Sequence, residues 1–195
     1  MQARPKGKPD TPAQEKYREA LTTAIKQVKP LLVGEEYSEF ALKKQRVDTG
    51  AEHESITREM ADTAKVQHRY CDPDQDARDK MGYVEGSTLA LQFATGHDPT
   101  DYNERGFATE VVKYWPLRER YWLDQLHDVL NKDIVFVCGD AHLESFGELL
   151  KKNGTPSTVV VRHIGLTEAD DEWWLRIQAY IKAHPELHLV GDCLD

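Results

Sequence analysis

Residues 133–146 read DIVFVCGDAHLESF, and no other stretch constrains the fold as much. Ile134, Val135, Phe136 and Val137 form a continuous apolar run of strand length. Such a run suits a strand covered on both faces, as in a parallel sheet. Gly139 then turns the chain, Asp140 stands where an N-cap would, and Leu143, Phe146, Leu149 and Leu150 recur at helical spacing. A strand, a tight turn and a helix in that order set Cys138, Asp140 and His142 at the strand's carboxyl end. Open α/β sheets bind ligands at that end.

Three further segments read as strands. Leu31 to Glu36 (LLVGEE) is an apolar run ending in two carboxylates. Alternation sends Glu35 and Glu36 to opposite faces, so at most one enters a shared site. A solvated pair at a strand–helix junction is the simpler alternative. Val66 to Tyr70 predicts a short strand running into Cys71-Asp72-Pro73-Asp74. Its His68 reads as a ligand or, more simply, as a hydrogen-bonded core histidine, and the aspartates read as helix caps sooner than ligands. Ser157 to Val161, rich in β-branched residues, predicts a fourth strand reaching about residue 163.

Helices fill the intervals. Thr11-Pro12-Ala13-Gln14 combines an N-cap, a first-turn proline and a capping-box glutamine, with Tyr17, Leu21, Ile25 and Val28 on one face. Short helices are expected at 37–44, 52–64 and 73–81. Residues 109–130 carry a long stripe of Trp115, Trp122, Leu126 and Val129, which Pro116 must kink or restart. Thr167-Glu168-Ala169-Asp170 opens a last helix with Trp174, Ile177 and Ile181, ended by Pro185.

The expected fold class is therefore α/β. Residues 11–195 read as a single domain with a mainly parallel sheet of at least four strands, near 31–36, 66–71, 133–138 and 157–163, and helices on both faces. Residues 1–10 read as a flexible arm. Residues 82–107, punctuated by Gly82, Gly86, Gly96, Pro99 and Gly106, read as a lid or binding loop over the carboxyl rim with Leu89 to Ala94 helical, or as a disordered insertion. The strand ends bring Glu35/Glu36, Cys71/Asp72, Asp140/His142 and Arg162/His163 to one rim.

Composition narrows the partners. The formal net charge of −9 argues against a general binder of nucleic acid or anionic membranes. No apolar run approaches the ~20 residues that span a bilayer, and the basic start MQARPKGKPD lacks the apolar core of a secretory signal. Cys71, Cys138 and Cys193 are odd in number and widely spaced, which suits reduced thiols in a cytoplasmic protein.

The pattern VCGDAH, a buried strand followed by Gly139-x-x-His142, resembles the TraB/Tiki superfamily with its ChaN-like and erythromycin-esterase-like relatives. Leu32-Val33-Gly34-Glu35-Glu36 looks like the acidic strand end of that group, and Leu31 to His163 looks like bacterial proteins of this kind. The family's earlier Gly-x-x-His strand has no counterpart before Thr11. The chain thus resembles a shortened member, or one that begins upstream of Met1. The resemblance implies a metal-dependent hydrolase holding zinc or manganese. His142 would be a ligand, Glu35 or Glu36 a second ligand or general base, and Asp140 an orienting group or ligand. Cys71 and Cys138 would serve as softer ligands if their strands are neighbours.

Two other function classes fit the same residues. One is a non-catalytic module binding a small molecule, peptide or anion, with Arg69, Arg118, Arg120 or Arg162 and the helix start at Asp140 receiving negative charge. The other is a scaffold in which Asp140 caps, His142 packs and the acidic surface meets a partner, homo-oligomers included.

Overall fold

The computed structural model describes residues 3–94, 99–161 and 168–188; Arg162, His163 and Cys193 lie outside the described residues, as do His97, Asp98 and Thr167. In chain order the elements are β1 (Ala3–Pro5), α1 (Pro12–Val28), β2 (Leu32–Glu35), α2 (Glu39–Thr49), β3 (His53–Ser55), α3 (Ile56–Ala64), β4 (Gln67–Tyr70) and α4 (Gln75–Met81). There follow α5 (Gly86–Phe93), α6 (Pro99–Thr109), a π-helical turn (Glu110–Tyr114), α7 (Trp115–Leu126), β5 (Ile134–Val137), a 3₁₀ turn (Asp140–His142), α8 (Leu143–Lys152), α9 (Glu168–Ala183) and a 3₁₀ turn (Pro185–His188). The chain divides into two compact units, Met1–Gln75 with Arg120–Gly165 and Asp76–Glu119 with Leu166–Asp195. No helix among the described residues is long and apolar enough to cross a membrane.

The first unit holds a three-stranded parallel sheet, ordered β4-β2-β5, and a separate antiparallel pair of β1 with β3. The fold is α/β with small sheets, which corrects the expected sheet of four or more strands. Residues 157–161 form no strand, and Val159, Val160 and Val161 are 41–46% exposed. A β-branched run favours extended backbone, but it becomes a strand only against a sheet edge. A second correction concerns the run expected at the sheet's centre. Ile134–Val137 is an edge strand among the described residues, and β2 is central. Cover over both faces is enough to make a strand read as uniformly apolar; it does not require a neighbour on each side.

That cover is clear for β2 and β5. On one face Val33, Val135 and Val137 pack with Tyr17, Leu21 and Ile25 of α1 and Ile56 and Ala61 of α3. On the other, Leu32, Ile134 and Phe136 pack with Trp122, Leu123 and Leu126 of α7 and Phe146 of α8. Burying side chains of this size contributes roughly 1.5–3 kcal/mol each. Gly34 sits where a Cβ would come 3.0 Å from the Phe136 ring and 3.3 Å from Cys71 Sγ, so the central strand carries glycine there.

The Thr11 capping box forms as its sequence requires, with Thr11 accepting from Gln14 N and Gln14 accepting from Thr11 N. Residues 3–5, read from sequence as part of an arm, pair as β1. Arg4 there meets Asp10, Glu54 and Glu59.

In the second unit, the glycine-rich stretch expected to be a loop with a helix at Leu89 to Ala94 carries α5 and, among its described residues, also α6. Gly106 of α6 lies so close to α5 that an added Cβ would fall 2.6 Å from Ala90 N and Gly86 O. Gly86 and Gly106 therefore permit close helix–helix contact, whereas Gly82, at φ +63°, sits in a turn. Trp115 stacks on Trp174 of α9, with ring centroids 5.5 Å apart. Pro116 lacks an amide hydrogen, and the chain enters α7 through the π-helical turn, where Trp115 N bonds Glu110 O.

Candidate functional site

The chain enters the parallel sheet at its centre, β2, passes to β4 on one side and later to β5 on the other. The strand order therefore reverses between β2 and β5. Open α/β sheets offer a crevice at such a switch point, outside the carboxyl ends of the strands. The ladder pairs Glu35 with Val137 and continues through Glu36 N donating to Val137 O at 2.8 Å.

Glu36 turns toward the face that carries Trp122. Its Oε2 accepts from Gly139 N at 2.5 Å, and its Oε1 lies 3.8 Å from His142 Nε2. His142 is 3% exposed, and its ring meets Trp122 edge-on with centroids 4.9 Å apart. Trp122 in turn donates from Nε1 to Asp72 Oδ1 at 3.1 Å. Asp140 begins the 3₁₀ turn that carries His142, and the N-cap position falls to Gly139, with no side-chain capping bond. The expected cap at Asp140 is corrected accordingly: Glu36, from another strand, takes the Gly139 amide.

Glu35 turns the other way and is fully buried. Its Oε1 accepts from Ser55 Oγ at 2.6 Å and from His68 Nε2 at 2.8 Å. Ser55 also caps α3, accepting from Arg58 N at 3.0 Å. The pair of glutamates is thus not a solvated junction: one is enclosed and the other has a side chain 12% exposed. Burial first, and the Glu35 charge second, push the Tyr37 hydroxyl up to about 12; the same causes raise Tyr70, where Arg58 partly opposes them. Tyr17, bonded to Thr57 Oγ1 at 2.6 Å, is raised chiefly by burial. The sequence signal for this cluster was slight: a histidine on a strand paired with the strand that ends in Glu35.

The remaining candidates scatter. Cys71 is fully buried, and desolvation pushes its thiol up to about 12, so it is a neutral thiol near pH 7. Its strand β4 and the strand before Cys138 are separated by β2 and are not neighbours, which corrects the expected pair of soft ligands. Arg69 bonds both carboxylate oxygens of Asp128 and also the Gln125 carbonyl, so it braces α7 and the following turn and does not stand free as an anion clamp. Arg120 is exposed, and Arg118 belongs to the second unit. Among the described residues, no group of three or more His, Cys, Asp or Glu side chains is arranged to hold a metal ion. His142 and Glu36 alone do not meet the three-ligand requirement of a hydrolytic metal centre.

What the geometry defines is an α/β domain with a carboxylate–imidazole pair at its switch point. In comparison with known proteins, no family model, curated protein or solved structure matches the chain.

Proposed function

We propose that the first unit is a small-molecule-binding α/β domain whose ligand sits between the carboxyl ends of β2 and β5. The observation that carries this is the coincidence of the switch point with a fixed carboxylate and an imidazole 3.8 Å apart. Glu36 offers an acceptor to a ligand hydroxyl or amide, and His142 offers a donor or acceptor according to its tautomer. An anionic ligand fits less well. The Gly139 amide is occupied by Glu36, and Arg69 is occupied by Asp128.

A crystallographic fragment screen on the intact chain tests the proposal. Hits against Glu36 and His142 are expected, with binding weakened roughly tenfold by Glu36→Gln, the scale of one hydrogen bond to a charged group. Hits confined to other surfaces, or unchanged binding in Glu36→Gln, would overturn it.

A second proposal is the metal-dependent hydrolase of TraB/Tiki type. The same 3.8 Å separation favours it, since zinc bonds of ~2.0–2.2 Å would let one ion touch both groups. It needs a third ligand beyond this pair. Zinc and manganese titrations of protein purified without an affinity tag decide it. Stoichiometric binding abolished by His142→Ala supports the hydrolase, and indifference to both ions removes it.

A further inference from the structure

Among the described residues, the buried side-chain oxygens Glu35 Oε2, Tyr37 OH, Gln45 Oε1 and Tyr70 OH have no hydrogen-bond partner. They belong to one neighbourhood. Tyr37 lies two positions beyond Glu35, just past the end of β2, and its pKa is raised by burial first and by the Glu35 carboxylate second. Tyr70 is directly opposite Glu35 in the β2–β4 ladder. The Tyr37 hydroxyl lies against the Gln45 side chain of α2, and the Tyr70 hydroxyl against the Arg58 guanidinium, each close enough to lower the tyrosine's pKa against the larger rise from burial. Ser55 and His68 both hold Glu35 Oε1, which fixes the carboxylate and leaves Oε2 as its unengaged oxygen.

A buried carboxylate oxygen without a donor is costly, and so is each buried hydroxyl or amide oxygen left alone. All four atoms accept hydrogen bonds, one of them belongs to a carboxyl group, and the two hydroxyls can also donate. Their complement is a compact cation rich in N–H donors. A divalent metal ion is a poorer complement, because it takes six or more oxygens, several of them from carboxylates, and this set holds one carboxylate. Ser55 and Tyr70 also line a cleft of about 390 Å³ with Leu42, Lys43, Arg46 and Arg58, which gives room for the rest of such a molecule.

We infer that Glu35, Tyr37, Gln45 and Tyr70 form a second ligand site, on the opposite face of β2 from Glu36, for the primary ammonium group of a small amine. It stands independently of the Glu36–His142 crevice, because it uses neither residue.

The test is thermal denaturation of the full chain in methylammonium chloride, with sodium chloride and tetramethylammonium chloride at equal ionic strength. A saturable rise in Tm with methylammonium alone is expected. Tyr37→Phe and Gln45→Ala should each raise the half-saturating concentration roughly tenfold or more, the loss of one hydrogen bond to a charged group. Gln45→Ala leaves the Ser55–Glu35–His68 bonds intact, so the measurement stands even if Tyr37→Phe fails to fold. Equal responses to the three salts would overturn the inference. So would an unchanged half-saturation in Gln45→Ala, or a crystal grown in methylammonium with only a water among the four oxygens.

Discussion

Glu36 and Gly139, 103 residues apart in the chain, are joined at the sheet's carboxyl rim by a hydrogen bond from the Gly139 amide to Glu36 Oε2. The bond ties the end of β2 to the turn after β5, and the other carboxylate oxygen lies 3.8 Å from His142 Nε2. Position 36 therefore bears on stability as well as on binding. Glu36→Gln exchanges a charge-assisted bond for a neutral one, and Glu36→Ala leaves the amide to solvent. Urea denaturation should show a loss of about 1 kcal/mol for glutamine and about 2 kcal/mol for alanine. Equal midpoints for all three proteins would mean that the bond contributes nothing.

His142 is both a rim residue and a core residue. Its ring is 3% exposed and packs edge-on against Trp122. His142→Ala should therefore cost about 1–3 kcal/mol, through lost packing and any buried hydrogen bond left unmade. Were it a free site histidine, stability would scarcely change. His142→Phe separates packing from polarity: in the same urea titration it should recover part of the stability lost in the alanine variant, while fragment binding at the crevice stays weakened.

Much of the site was legible because strand alternation is strict. Two adjacent glutamates after an apolar run must diverge, and Glu35 and Glu36 do, one toward α3 and the other toward Trp122. That His142 would stand at the same rim followed from two strands running the same way. Sheet order was not legible, because an apolar run records cover on its faces and not neighbours at its edges; Ile134–Val137 is covered by helices on both sides and still lies at an edge. The enclosure of Glu35 was equally hidden. It depends on Ser55 and His68 arriving from β3 and β4, and nothing local to Glu35 announces them.

Ser55 does two things with one hydroxyl, accepting from Arg58 N at the start of α3 and donating to Glu35 Oε1. Ser55→Ala loses both, so it should cost about 2–3 kcal/mol, more than an ordinary N-cap replacement at ~1 kcal/mol. Ser55→Asp keeps a cap acceptor but sets a second carboxylate against Glu35, and should be worse still. Chemical denaturation of the three proteins gives the order. An alanine variant within about 0.5 kcal/mol of the parent would show that the bond to Glu35 is energetically empty.

Alkaline pH should destabilise the fold in two stages. Burial pushes the Cys71 thiol from its ordinary 9.0 to about 12, and burial with the Glu35 charge pushes Tyr37 from 10.0 to about 12. Both groups are neutral when protonated, and both hold the proton more tightly in the folded chain. Their contribution to stability is complete below the unfolded values and is lost as pH rises toward the folded ones. The unfolded chain releases protons first, so stability should begin to fall near pH 9, where only the cysteine is involved, and fall more steeply above pH 10. The slope from Cys71 alone approaches about 1.4 kcal/mol per pH unit between these limits. Cys71→Val, close in volume and without a proton to lose, should flatten the profile between pH 9 and 10 and leave the steeper fall above it. In the folded chain at pH 8 the thiol should also resist alkylation, reacting only once denaturant is added. An identical pH profile for Cys71→Val, or rapid labelling of Cys71 in the native protein, would show that the thiol is not held in its neutral form by burial.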